Sequence, residues 1–160
     1  MNRPPARLAL AAIVAIAALG ASLTGCTSKE DKPMLTHQQA VDETERLIKE
    51  ATGNLKPAPR LEVFDLGNAP CSGPNDDQNT KTHIVEHRYW LRDVTGHEDE
   101  VYESMLAYMR AGGYKNIQDN WKTTDHRLIA EHSTNSFSVS LRSNDRKDLL
   151  ITVDSTCVPN

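Results

Sequence analysis

A chain of 160 residues, a quarter of them charged, suits one globular domain, and no second hydrophobic pattern or long linker suggests two. Its formal net charge is −4; Arg3 and Arg7 contribute +2 of that and residues 1–25 hold no acid, so residues 26–160 carry −6. An acidic domain repels phosphate backbones, which argues against nucleic acid as a partner, and the basic cluster Arg142, Arg146 and Lys147 is interrupted by Asp145 and Asp148.

In chain order, residues 1–25 have the three parts of an export signal. Arg3 and Arg7 form a positive n-region, and Leu8 to Leu19 runs without a polar residue at the length of an h-region. That run is too short to span a bilayer comfortably, which takes about 20 apolar residues. It leads to Leu23-Thr24-Gly25-Cys26, which resembles the lipobox of bacterial lipoproteins. The resemblance implies cleavage after Gly25, a diacylglyceryl group on the Cys26 thiol and a further acyl chain on the freed amine. Two or more chains hold a protein firmly to a membrane, each buried methylene contributing about 0.8 kcal/mol. The expected location is therefore the extracytoplasmic face of the cell membrane. Residues 26–35 then read as a lipidated cysteine and short flexible tether, with residues 36–160 as the domain.

The domain opens with a capping box, Thr36 with Gln39, ahead of Val41, Leu47, Ile48 and Ala51 at helical spacing, and Gly53 ends the run. Pro57 and Pro59 force an extended connection into a short strand, Leu61 to Phe64. Ala69 to Lys81 is turn chemistry throughout and predicts a surface loop fastened by Cys71. Thr82 to Leu91 predicts a strand with Val85, Tyr89 and Leu91 on one face and Glu86 and Arg88 on the other. A second capping box, Thr95 with Glu98, predicts a helix whose buried stripe is Val101, Tyr102, Met105, Leu106 and Met109, stopped by Gly112-Gly113. Strands follow at Tyr114 to Ile117, Arg127 to His132, Ser136 to Leu141 and Asp148 to Val153. Adjacent strands joined by short turns imply a mostly antiparallel sheet covered by two helices: a single two-layer α+β domain.

With Cys26 assigned to lipid, Cys71 and Cys157 remain as a pair in a chain sent to an oxidising compartment, and a disulfide is the economical assignment. The rival, a reactive Cys/His pair, lacks an evident helix N-terminus to activate either thiol. The layout resembles small lipoproteins of actinobacterial type, which join an L-x-G-C lipobox to one α+β domain of unknown function. The lipobox, the Tyr89-Trp90-Leu91 strand, the helix ending at Gly113-Tyr114 and the last strand into Ser155-Thr156-Cys157 carry that resemblance.

Candidate chemistry is sparse. His83 and His87 are four apart, which on a strand separates them by about 13 Å, too far for one metal ion. His126 and His132 meet the same objection, and His37 and His97 sit near helix starts. Asn75 to Asn79 is rich in oxygen ligands but lacks the spacing of a calcium loop. There is no G-x-S-x-G, S-x-x-K or H-E-x-x-H motif and no phosphate-cradling glycine loop. Trp90 and Trp121 are candidates for a stacking platform. No metal or other cofactor is implied, and the expectation is a tethered module that binds an envelope protein or ligand. The alternative is an envelope-polymer hydrolase using dispersed carboxylates such as Glu86, Asp119 or Asp125, and it requires a cleft that raises the pKa of one acid.

Overall fold

The computed structural model describes residues 34–72 and 78–160. The export signal, the lipobox and most of the tether lie outside the described residues, as do Asn75, Asp76 and Asp77 of the oxygen-rich run.

Helix α1 (His37–Gly53) starts where the capping box predicts: Gln39 N–H donates to Thr36 Oγ1 and Thr36 N–H donates to Gln39 Oε1 at 2.9 Å. Such a cap is worth about 1 kcal/mol to the helix. Ala40, Thr44, Leu47, Ile48 and Ala51 share its buried face, as the period requires.

Strands β1 (Arg60–Ser72) and β2 (Gln78–Arg92) are much longer than their sequence suggests. The predicted loop from Ala69 to Lys81 is an error: Ala69–Ser72 and Gln78–Lys81 belong to the ladder. Pro70 is tolerated there because β1 is the edge of the sheet, where a missing N–H breaks no second ladder. A register shift between Pro70 and Cys71 absorbs the irregular residues.

Helix α2 (Glu98–Ala111) begins later than the Thr95 capping box predicts, and His97 at its N-cap makes no side-chain cap bond. A tight turn takes Thr95 instead: His97 N–H donates to Val94 O, Gly96 has φ +85°, and Glu98 Oε1 accepts the Gly96 N–H. Glu98, Asp99 and Glu100 still sit at the positive end of the helix dipole. The predicted stripe, Val101, Tyr102, Met105, Leu106 and Met109, is buried, and Gly113 leaves the helix at φ +76°.

Strand β3 (Tyr114–Asn120) continues past its predicted end through an irregularity between Lys115 and Gln118, where Asn116 has φ +54°. Then come β4 (Arg127–His132), β5 (Ser138–Ser143), β6 (Leu149–Asp154) and an unforeseen two-residue β7 (Val158–Pro159). Strand β5 starts two residues after its predicted Ser136, which has φ +60° and closes the turn from β4.

All pairings are antiparallel, in the order β1-β2-β6-β5-β4-β3, with β7 beside β2. Helix α2 carries the chain to the far edge, and the β3–β6 meander returns it to β2. Both helices cover the same face, α1 over β2 and β6, α2 over β3 to β5. Between them and the sheet lie Phe137, Leu128, Val139, Leu141, Ile151 and Val153, all fully buried. The domain is thus α+β in two layers, as expected. Cys71 and Cys157 are bonded, with Cα atoms 6.1 Å apart across a separation of 86 residues.

Candidate functional site: the uncovered sheet face

Because side chains alternate along a strand, each inward residue fixes its neighbours outward. Val85, His87, Tyr89 and Leu91 point to the helices, so Glu86, Arg88 and Trp90 face away. The register then aligns three outward rows across the sheet. The first is Gly67, Glu86, Asp154, Ser138, Glu131 and Lys115. The second is Asp65, Arg88, Thr152, Ser140, Ile129 and Gln118. The third is Glu62, Trp90, Leu150, Arg142, Arg127 and Asn120. Glu86, Asp154 and Glu131 therefore lie in the first row and Arg127 and Arg142 in the third, with Arg88 and the hydroxyls of Thr152 and Ser140 between them, while Asp65 and Glu62 occupy the β1 ends of the second and third rows.

A concavity of about 270 Å³ lies on this face, lined by residues of all three rows from Glu86 and Asp154 to Arg127 and Arg142. A second of about 610 Å³ adjoins it at Ile129 and extends to Asn116 and Glu131.

The first row holds two carboxylates with opposite behaviour. Burial pushes the Asp154 carboxyl up to about 6, helped by the Glu86 charge and a hydrogen bond with the Glu86 carboxyl, while Arg88 opposes the shift. Glu131, half-buried and bonded to Ser136, Lys115 and Asn116, is pulled down to about 2. Arg88 forms an ion pair with Glu86.

Two buried polar atoms of the concavity lack a hydrogen bond among the described residues. Asp154 Oδ1 is buried without a partner. Arg127 Nε is likewise buried and lies 3.2 Å from Asp125 Oδ2 without the alignment of a hydrogen bond. Among the described residues, the side chains of Arg142, Thr152 and Ser140 have no hydrogen-bond or ion-pair partner, although Arg142 is exposed to water and the other two are half-buried. Buried polar atoms are ordinarily satisfied, so orphans gathered in one hollow mark it as a place where something else binds.

In other groupings the central polar groups bond one another. Glu45 Oε1 accepts from Tyr89 O–H at 2.9 Å and lies 2.8 Å from His87 Nδ1, which fastens α1 to the sheet. His37 Nδ1 lies 2.7 Å from His83 Nε2, and His83 Nδ1 is 2.5 Å from Asn160 Oδ1. A concavity of about 420 Å³ at the end of the sheet is lined by Asp99, Trp121, His126 and Asn144. There Trp121 Nε1–H donates to Asp99, His126 Nδ1 lies 2.8 Å from Trp121 O, and Asn144 Oδ1 accepts from its own turn.

The residues singled out in the sequence scatter. Trp90 and Trp121 do not form one platform: Trp90 meets Phe64 on the open face, whereas Trp121 is buried and stacked on Tyr102 of α2. Glu86, Asp119 and Asp125 do not converge either. Asp119 accepts from Tyr102 O–H, Asp125 pairs with Arg127, and Glu86 stands beside Asp154. Among the described residues, no group of three His, Cys, Asp or Glu is placed to hold a metal ion. Asp154 was missed because it lies one residue past the predicted strand end, and its pairing with Glu86 depends on a register set 68 residues away. No family model matches this chain, and no characterised protein or solved structure matches it either.

Proposed function

We propose that this protein is a lipoprotein anchored by acyl chains on Cys26 to the extracytoplasmic face of the cell membrane, where it acts as a non-enzymatic binding module for an envelope protein or ligand. The observation that carries the binding half is the sheet face that neither described helix covers, hollowed between Glu86–Asp154 and Arg127–Arg142 and left with unsatisfied buried atoms. The lipobox at Leu23 to Cys26 and the h-region before it carry the anchoring half. The Cys71–Cys157 bond suits an oxidising compartment.

Replacing Cys26 with Ser is expected to abolish incorporation of labelled palmitate and to move the protein out of the detergent phase. Retained label would refute the anchor. For the binding surface, hydroxyl-radical footprinting of Trp90, Ile129 and Leu150 on intact membranes should show protection that the purified protein lacks. Equal labelling in both would refute the surface.

One observation favours a second reading, hydrolysis. Asp154 and Glu86 are paired acids, one of them with a raised pKa, in a hollow. Their carboxyl groups touch, however, whereas the acids of a glycosidase stand about 5–9.5 Å apart to flank the scissile bond. That contact supports binding over glycoside cleavage.

A further inference from the structure

Resting on the reading of the open sheet face as a binding surface, we infer that its ligand is a short zwitterionic peptide, with its ammonium end at Asp154 and Glu86 and its carboxylate end at Arg127 and Arg142. The charge balance of the hollow sets this class. At its acidic end, once the proton shared by Asp154 and Glu86 is lost, Arg88 offsets one of two carboxylates and leaves a negative charge over. At its basic end Asp125 offsets Arg127 and nothing among the described residues offsets Arg142. A plain anion or cation would satisfy one end and be repelled by the other, whereas a molecule with both charges satisfies both.

The orphan atoms agree in kind and place. Asp154 Oδ1 is an acceptor awaiting a donor, and an ammonium is one; Arg127 Nε is ion-paired to Asp125 at 3.2 Å without an aligned hydrogen bond, and the unpaired Arg142 guanidinium beside it offers donors that a carboxylate can fill. Between the ends, Thr152 and Ser140 are cross-strand partners whose hydroxyls can donate to or accept from peptide groups. Like charges directly opposite on neighbouring strands cost stability, yet Arg142 faces Arg127 in just that way. A bound carboxylate would offset that repulsion.

Size is consistent with the charges. Asp154 and the third row are four residues apart along β6, or about 13 Å of strand, and side chains from both ends line the hollow. An extended tripeptide spans about 10 Å.

The test is calorimetric titration of the full-length protein in detergent with tri-L-alanine, N-acetyl-tri-L-alanine and tri-L-alanine amide. The free tripeptide should bind, and blocking either end should weaken it about tenfold or more, the worth of one charge-assisted hydrogen bond. Asp154→Asn should remove the discrimination against the acetylated peptide, and Arg142→Gln the discrimination against the amide. Arg142 is exposed and bonded to nothing described, so its variant keeps the test open even if the Asp154 variant folds poorly. Absence of binding by all three peptides, or affinity indifferent to blocking, overturns the inference. If footprinting on membranes nonetheless protects the face, only the ligand class has failed; if it does not, the surface reading has failed with it.

Discussion

The same strands present two faces built from alternate residues, and they differ in what is left unfinished. Toward the helices, Leu128, Val139, Leu141, Ile151 and Val153 are sealed, and His87 finds a partner in α1, so that Thr44 Oγ1 is the one buried polar side-chain atom left without a hydrogen bond on this side among the described residues. Away from the helices, their immediate neighbours Arg127, Ser140, Arg142, Thr152 and Asp154 stand in half-exposed rows with donors and acceptors to spare. Stability is thus concentrated on one side of the sheet, and the other is free to carry charges that a core would not tolerate.

Four substitutions test that division, taken from the largest effect expected. Phe137 is fully buried at the entry to β5, and Phe137→Ala should cost about 3–5 kcal/mol in urea unfolding. A loss under about 1 kcal/mol would mean that the covered face does not hold the fold. Next, Cys71→Ser and Cys157→Ser should each lose about 2–4 kcal/mol, and the double variant little more than either single one, because each removes the same bond. Additive losses would show that the two thiols act separately.

The smallest effect is expected on the open face, with the opposite sign. In the folded protein burial, with the Glu86 charge beside it, pushes the Asp154 carboxyl up to about 6 from its ordinary 3.8. The folded state therefore holds this proton more tightly than the unfolded chain. The stability that proton contributes is complete below pH 3.8 and is lost as pH rises through about 6. Asp154→Asn should remove the dependence, making the variant more stable than its parent by about 1–2 kcal/mol at pH 7.5 after allowance for solvent screening. The gap should close by about pH 4, where both carry a neutral side chain. A gap that ignores pH would assign the effect to packing instead of charge.

How much of this was legible in advance follows from the range of each interaction. The α1 cap, the α2 stripe and the β4 boundaries are local, and they can be read from neighbouring residues. The second capping box failed because Thr95 and Glu98 fit a cap pattern that a Gly96 turn used otherwise. Strands β1 and β2 were cut short because Pro70, Gly73 and Asn75 read as a loop, while ladder pairing and a bond to Cys157 hold their flanks extended. The candidate site was the least legible part. Each of its residues has a visible outward phase, but the joining of Glu86 to Asp154 and of Arg127 to Arg142 exists only once the strand order does.

The disulfide also decides what happens to the chain when it is cut. The turns at 121–126, 133–137 and 144–148 all fall between Cys71 and Cys157. A protease that nicks any one of them opens the polypeptide but releases no fragment, since the two pieces stay joined through sulfur. The strands on either side of each cut also remain hydrogen-bonded to each other across it. Nicked protein should therefore run as one species on a non-reducing gel and as two after reduction, and a single cut would not shed the C-terminal half from the rest of the molecule.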